Sequence, residues 1–224
     1  MLSGVNYFLP RPMQIGTFSL VCWSWPMERI DSGACWESRS VELLLRDGSE
    51  ATVRLALISD DSDLYATERA IISEGVGVVQ GIEDLPPTLD QYREKFCARI
   101  SQRPEDCLYA VGSRHSHSVG YVQIERIMPR RLRHVGVVSV GVHPLHQGLG
   151  LGRALMRYAL SWATCVQPPL VRLELGVQCD NYRARRLYET LGFSRESTRR
   201  RFVRNIRGEE SDDDVMVLFI DSHS

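Results

Sequence analysis

Ser139-Val140-Gly141-Val142-His143-Pro144-Leu145-His146-Gln147-Gly148-Leu149-Gly150-Leu151-Gly152-Arg153 is the stretch that decides how this chain folds. An apolar run from Val135 stops at Pro144, and a glycine-rich turn follows. A helical stripe of Leu151, Ala154, Leu155, Tyr158, Ala159 and Trp162 then begins at once. Strand, tight loop and helix in that order leave the first helical N–H groups without carbonyl partners. They also turn the positive end of a helix dipole onto the same spot, which suits phosphate oxygens. Two common phosphate loops fail on position. A P-loop closes on Gly-Lys-Ser/Thr, whereas Gly152 is followed by Arg153 and Ala154. The dinucleotide fingerprint, started at Gly148 and Gly150, needs a small residue where Arg153 stands.

A second motif lies downstream, in Val177-Gln178-Cys179-Asp180-Asn181-Tyr182-Arg183-Ala184-Arg185-Arg186-Leu187-Tyr188-Glu189-Thr190-Leu191-Gly192-Phe193. Ala184, Leu187, Tyr188 and Leu191 make a helical stripe that Gly192 caps. Gln147-x-x-Gly150-x-Gly152 resembles the acetyl-coenzyme A loop of the GCN5-related N-acetyltransferases. The downstream motif resembles the same family's signature at Asn181, Ala184, Leu187, Tyr188, Glu189, Gly192 and Phe193. The resemblance implies an α/β (α+β) fold, a mixed and mostly antiparallel twisted sheet flanked by helices. It assigns residues 46–222 to that domain and leaves 1–45 as an N-terminal extension expected to be poorly ordered.

The rest of the pattern agrees with that order of elements. Leu43–Leu45 and Val53–Ile58 read as strand material, forming a hairpin or a single first strand, and Ser59-Asp60-Asp61-Ser62 supplies caps for a helix over Leu64–Ser73. Thr88 caps a second helix running to Ile100. Leu108–Val111, Val119–Ile127 and Val135–His143 read as strands before the glycine loop, and Val171–Val177 after its helix. A closing hairpin of Ser197–Ile206 and Val215–Ile220 surrounds the acidic run Glu209–Asp214, expected to be a solvated tip.

Composition narrows the function classes. A net charge of −1 favours neither nucleic acid nor an anionic membrane as partner. Six cysteines at irregular spacing, with no C-x-x-C pair, give neither a zinc pattern nor a disulfide framework, so free thiols in the cytoplasm are expected. No apolar run reaches the length of a membrane span. Residues 1–45 carry three prolines and three tryptophans without periodicity, and Met13–Trp25 lacks the basic start and cleavage site of a secretory signal.

The family resemblance implies acetyl-coenzyme A as co-substrate, no metal, and direct acetyl transfer to a primary amine of a small molecule or peptide. By that resemblance the amides of Gln147, Gly148, Leu149, Gly150, Leu151, Gly152 and Arg153 hold the pyrophosphate. The main chain at Val140 and Val142 pairs with the pantetheine arm, and Gly141 marks a bulge that opens the sheet or is a packing glycine. Asn181 is a cofactor ligand, a helix cap, or both. Tyr188 is the general acid, against the plainer reading of a core aromatic. Relatives often carry a glutamate on the strand before the loop, and this chain has none there. Glu125 on the preceding strand is the carboxylate expected as base, Glu83 the second candidate, and His143 is read as structural. The competing function is a non-catalytic acyl-coenzyme A sensor or partner-binding module on the same fold. Homodimers are frequent in the family.

Overall fold

A computed structural model describes residues 40–204 and 208–220. The expected extension therefore lies outside the described residues up to position 39. From Ser40 onward the chain forms eight strands whose successive side chains face opposite sides of the sheet, and the central β3, β4 and β5 are buried on both faces. The strands are β1 (Ser40–Leu44), β2 (Glu50–Leu55), β3 (Cys107–Arg114), β4 (His117–Arg126), β5 (Val135–Val142), β6 (Arg172–Gln178), β7 (Ser194–Arg204) and β8 (Glu210–Phe219). They form one sheet in the order β1-β2-β3-β4-β5-β6-β8-β7.

Four helices cover the sheet: α1 (Asp61–Glu74), α2 (Leu89–Ile100), α3 (Leu151–Cys165) and α4 (Tyr182–Thr190). Val122, Ile124, Val138 and Val140 point to the face covered by α3 and α4, where they join Leu155, Met156, Leu187 and Tyr188 in the larger core. Tyr109, Val111 and Tyr121 point the other way, to α1 and α2, and pack with Leu64, Ile71, Tyr92 and Phe96. Leu155, Met156 and Ala159 are fully buried. At about 1.5–3 kcal/mol for each large apolar side chain removed from water, the α3 stripe alone anchors the phosphate-loop helix firmly.

Thr88 accepts from the Gln91 amide at 3.4 Å and starts α2, as its sequence position predicts. Gly192, at φ +91°, takes the left-handed turn that ends α4.

One pair of strands is parallel, and it governs the site. β5 and β6 are joined through α3, a crossover of the kind that parallel neighbours require. Their pairing covers only Val135↔Arg172, Gly136↔Leu173 and Val137↔Glu174, and beyond Val137 the two strands part. The remainder of β5 keeps unbroken register with β4, from Arg126↔Gly136 to Gly120↔Val142. No bulge interrupts that ladder at Gly141, so the opening does not arise there. Gly141 is a packing glycine instead: an added Cβ would lie 2.7 Å from Tyr121 Cε1 and 2.8 Å from Ile71 Cδ1.

The closing hairpin also differs from the expected solvated tip. Glu210–Asp214 belongs to β8, with Asp213 opposite Gln178 and Asp214 opposite Val177. Asp213 is 0 % and Asp214 1 % exposed. Charge alone marks such a run as surface, and Glu209 and Glu210 are exposed, but Asp213 and Asp214 are buried beside arginines from neighbouring elements.

Candidate active site

The gap between β5 and β6 is bounded by the glycine loop at one end and by α4 on one face. His143 opens the loop as a cap, its Nδ1 accepting from the Leu145 amide at 3.2 Å. This is the structural role its position suggests. Gln147 then ties three elements together. Its Nε2 donates to Val142 O at 3.2 Å and to Glu74 Oε2 on α1 at 3.1 Å, and its Oε1 accepts from Arg183 on α4 at 3.4 Å. The Arg46 amide donates to Leu149 O at 2.9 Å, fixing the loop to the β1–β2 turn. The loop is thus held from three sides before any ligand arrives.

Gly148 and Gly150 both have positive φ, +81° and +104°. A Cβ on Gly148 would meet Arg183 at 3.0 Å, whereas one on Gly150 would meet no atom within 4 Å. The surface above Gly150 is therefore open. The earliest α3 amides to reach a backbone acceptor there are those of Arg153 and Ala154, both on Gly150 O. Those before them sit at the helix start and face outward. Leu151, Gly152 and Arg153 are buried at the start of α3. Arg46 and Arg183 flank the loop with positive charge. Sequence spacing gave no hint of either, since 102 residues separate Arg46 from Gly148 and 36 separate Arg183 from Gln147.

Val140 and Val142 bury their side chains against α3, and their main chain lies along the part of β5 that β6 no longer pairs. Asn181 does cap α4, its Oδ1 accepting from the Ala184 amide at 3.1 Å. Its Nδ2 is buried with no hydrogen-bond partner among the described residues, 2.4 Å from where a Cβ on Gly77 would stand.

Tyr188 projects from α4 into the core and is 0 % exposed, with the Phe193 ring edge-on at 6.0 Å. Burial, and secondarily the Asp213 carboxylate, raise its phenol well above the ordinary tyrosine range, so it keeps its proton. Tyr121 lies on the opposite face, over Gly141. Glu125 sits on β4 opposite Val137, level with the point where β5 and β6 part. It is half-buried, and its Oε1 accepts from Gln123 Nε2 at 2.5 Å. Burial, then the Glu125 charge, push the neighbouring Cys107 thiol up to about 12. Glu83 is exposed, in the turn before Leu85. Among the described residues no group of three His, Cys, Asp or Glu side chains could hold a metal ion. None of their helices is long and apolar enough to cross a membrane.

Comparison with known proteins meets the same features. Residues 79–193, from the loop after α1 to Phe193, match the acetyltransferase (GNAT) family. Over 95 residues the chain is 39% identical to the N-alpha-acetyltransferase RimI of Mycobacterium tuberculosis (strain ATCC 25618 / H37Rv), covering 42% of this chain and 57% of that relative's length. Among solved structures, a GNAT-family acetyltransferase from Streptococcus pneumoniae superposes with a TM-score of 0.69 at 24% identity, over 76% of this chain and 99% of the other. A putative acetyltransferase from Salmonella typhimurium, solved with its cofactor acetyl-CoA, superposes at 0.66 and 23% identity, over 78% and 96%. At these identities the two structures speak for the fold.

Proposed function

The chain belongs to the acetyltransferase (GNAT) family, and on that premise we propose that it moves an acetyl group from acetyl-coenzyme A to a primary amine. The observation that carries this reading is the stretch of β5 that β6 leaves unpaired, which leads to a glycine loop with open space above Gly150. We assign the acceptor to the α-amino group of a peptide or protein, because the RimI relative is an N-alpha-acetyltransferase.

When bound, acetyl-coenzyme A supplies the acetyl group activated as a thioester. The chain's own residues supply the rest. The amides from Gly148 to Gly152 receive the diphosphate, and Arg46 and Arg183 add charge beside it. The main chain at Val140 and Val142 pairs with the pantetheine amides, as an added strand would. Asn181 Nδ2 donates to the same arm, which satisfies an amide otherwise bare in the interior. Tyr188 holds a proton for the departing sulfur. Burial raises its phenol, which keeps the proton on it at neutral pH and makes it the weaker acid. Glu125, at the vertex of the gap, takes the proton that the acceptor ammonium must lose, through water. An α-amine has a pKa of about 8, so removal of that proton is a modest demand at neutral pH.

The test is direct. The protein is mixed with acetyl-coenzyme A and short peptides bearing free α-amines, and release of free thiol is followed. Turnover is expected, with Tyr188→Phe slower by about 10²–10⁴-fold and coenzyme A affinity retained. No turnover on any amine, together with intact coenzyme A binding, would return the non-catalytic sensor reading to first place.

A further inference from the structure

Val137 is the last residue of β5 that β6 pairs, opposite Glu174. Side chains alternate along a strand, so Ser139 is the next residue of β5 on that face, and it stands where the gap begins. The face is the one turned to α1 and α2. Val138 and Val140 belong to the core under α3. Ser139 and Gly141 pair across β4 with Gln123 and Tyr121, and Tyr121 packs in the core of α1 and α2. β6 alternates likewise. Leu175 and Val177 enter the α3 core, so Gly176 faces the other way, as Gln178 does in donating to Val78 O at 3.0 Å. At its start the gap therefore has a hydroxyl on its β5 bank and no side chain on its β6 bank, and no strand stands between that hydroxyl and the gap.

The neighbours of Ser139 on this face are polar. Gln123 lies directly across the ladder, and its Nε2 donates to Glu125 Oε1 at 2.5 Å. Glu125 is the diagonal neighbour of Ser139, about 7–8 Å away along the sheet, a span that one water can bridge. Among the described residues none makes a hydrogen bond to the Ser139 hydroxyl. On the opposite face Leu187 and Tyr188 of α4 are fully buried, whereas Glu125 is only half-buried. An amine therefore comes to the gap from the α1/α2 side, past these three polar side chains.

We propose that the Ser139 hydroxyl positions the acceptor, accepting an N–H of the incoming amine at the start of the gap while donating its own proton to Gln123 Oε1. Amine, Ser139, Gln123 and Glu125 then form one polar row on the α1/α2 face. Ser139 takes no proton in the reaction. It sets where the nitrogen stands, and the proton that the ammonium loses still goes to Glu125. The inference rests on the amine-acetylation reading and goes beyond it by naming the residue that places the amine.

The experiment separates the hydroxyl from the space it fills. Ser139→Thr and Ser139→Val add side chains of the same shape, both suited to a strand, and only threonine keeps the hydroxyl. Each variant, saturated with coenzyme A, is titrated calorimetrically with an Ala-initiated peptide, and KM and kcat are read from thiol release. The threonine variant should stay within about threefold of wild type. The valine variant should bind the peptide about 10- to 100-fold more weakly and raise KM by a similar factor. Coenzyme A affinity should be unchanged in both, because its arm pairs with the main chain of β5 and not with this side chain. Where the added methyl group weakens both variants alike, Ser139→Ala decides: a comparable loss supports the hydroxyl, and wild-type binding overturns it. Equal and undiminished peptide binding in the threonine and valine variants also overturns the proposal. Peptide acetylation at wild-type KM in Ser139→Val would overturn this inference alone. Wild-type protein that binds coenzyme A and acetylates no amine would overturn the function, and this inference with it.

Discussion

Gly150→Ala separates what the loop does for the fold from what it does for the ligand. Gly150 has φ +104° and ψ −7°, a region costly for a residue with a Cβ. The penalty for alanine there is about 1–2 kcal/mol, or a melting point lower by about 2–8 °C for a domain of this size. No steric term adds to it, because the new Cβ meets no protein atom within 4 Å. The empty space is what the ligand requires. A methyl group over the amides at the α3 N-terminus would push the diphosphate off one or two charge-assisted hydrogen bonds, each worth about 1.5–3 kcal/mol. At about 1.4 kcal/mol per tenfold, losing one such bond weakens coenzyme A by about 10- to 100-fold, and losing two by more. Calorimetric titration with coenzyme A and a thermal melt on the same preparation give both numbers. A variant that melts a few degrees lower but binds coenzyme A with wild-type affinity refutes the placement of the pyrophosphate.

Other outcomes follow from individual contacts. Gly141→Ala should cost about 1–3 kcal/mol in denaturant unfolding, because its Cβ would lie 2.7 Å from Tyr121 Cε1 in a packed interior; a neutral result would mean the Tyr121 ring moves freely. The pH–rate profile should show no alkaline limb from Tyr188 below about pH 10, since its phenol is raised by burial and by Asp213; a descending limb near pH 8 that Tyr188→Phe removes would contradict this. Burial opposes ionisation of Asp60, but Arg54 at 2.8 Å, the Leu57 amide at 2.7 Å and Ser118 Oγ at 2.8 Å overcome it and hold the carboxyl below its usual value. Its stabilisation is therefore present above an unfolded pKa of about 4 and disappears as pH falls through the lower folded value. Asp60→Ala should cost about 3 kcal/mol at pH 7 and progressively less in acid, as chemical denaturation at several pH values will show.

Much of this architecture was legible because its signals are local. The Gln147–Arg153 loop announces itself by a strand that stops at a proline, glycines where φ must be positive, and an apolar stripe that begins at once. The α4 stripe and its Gly192 stop are readable on the same terms. Asn181 caps α4 through Oδ1, one of the two roles its position suggested. Local signals misled at Gly141 and at Glu209–Asp214. A glycine in a strand looks alike whether it bends the ladder or yields space to a tyrosine, and a run of carboxylates looks solvated until its arginines are known.

The sequence is enough for the order of strands and helices, the glycine loop between β5 and α3, and the helix that carries Tyr188. Periodicity and caps act over a few residues, so one chain read in one direction contains them. Tertiary structure alone sets where the sheet opens, which arginines flank the loop, and that Asp213 and Asp214 are interior. Those are properties of strand pairing and burial. They depend on residues far apart in the chain meeting across β5, β6 and β8, and no local pattern encodes which partners will meet.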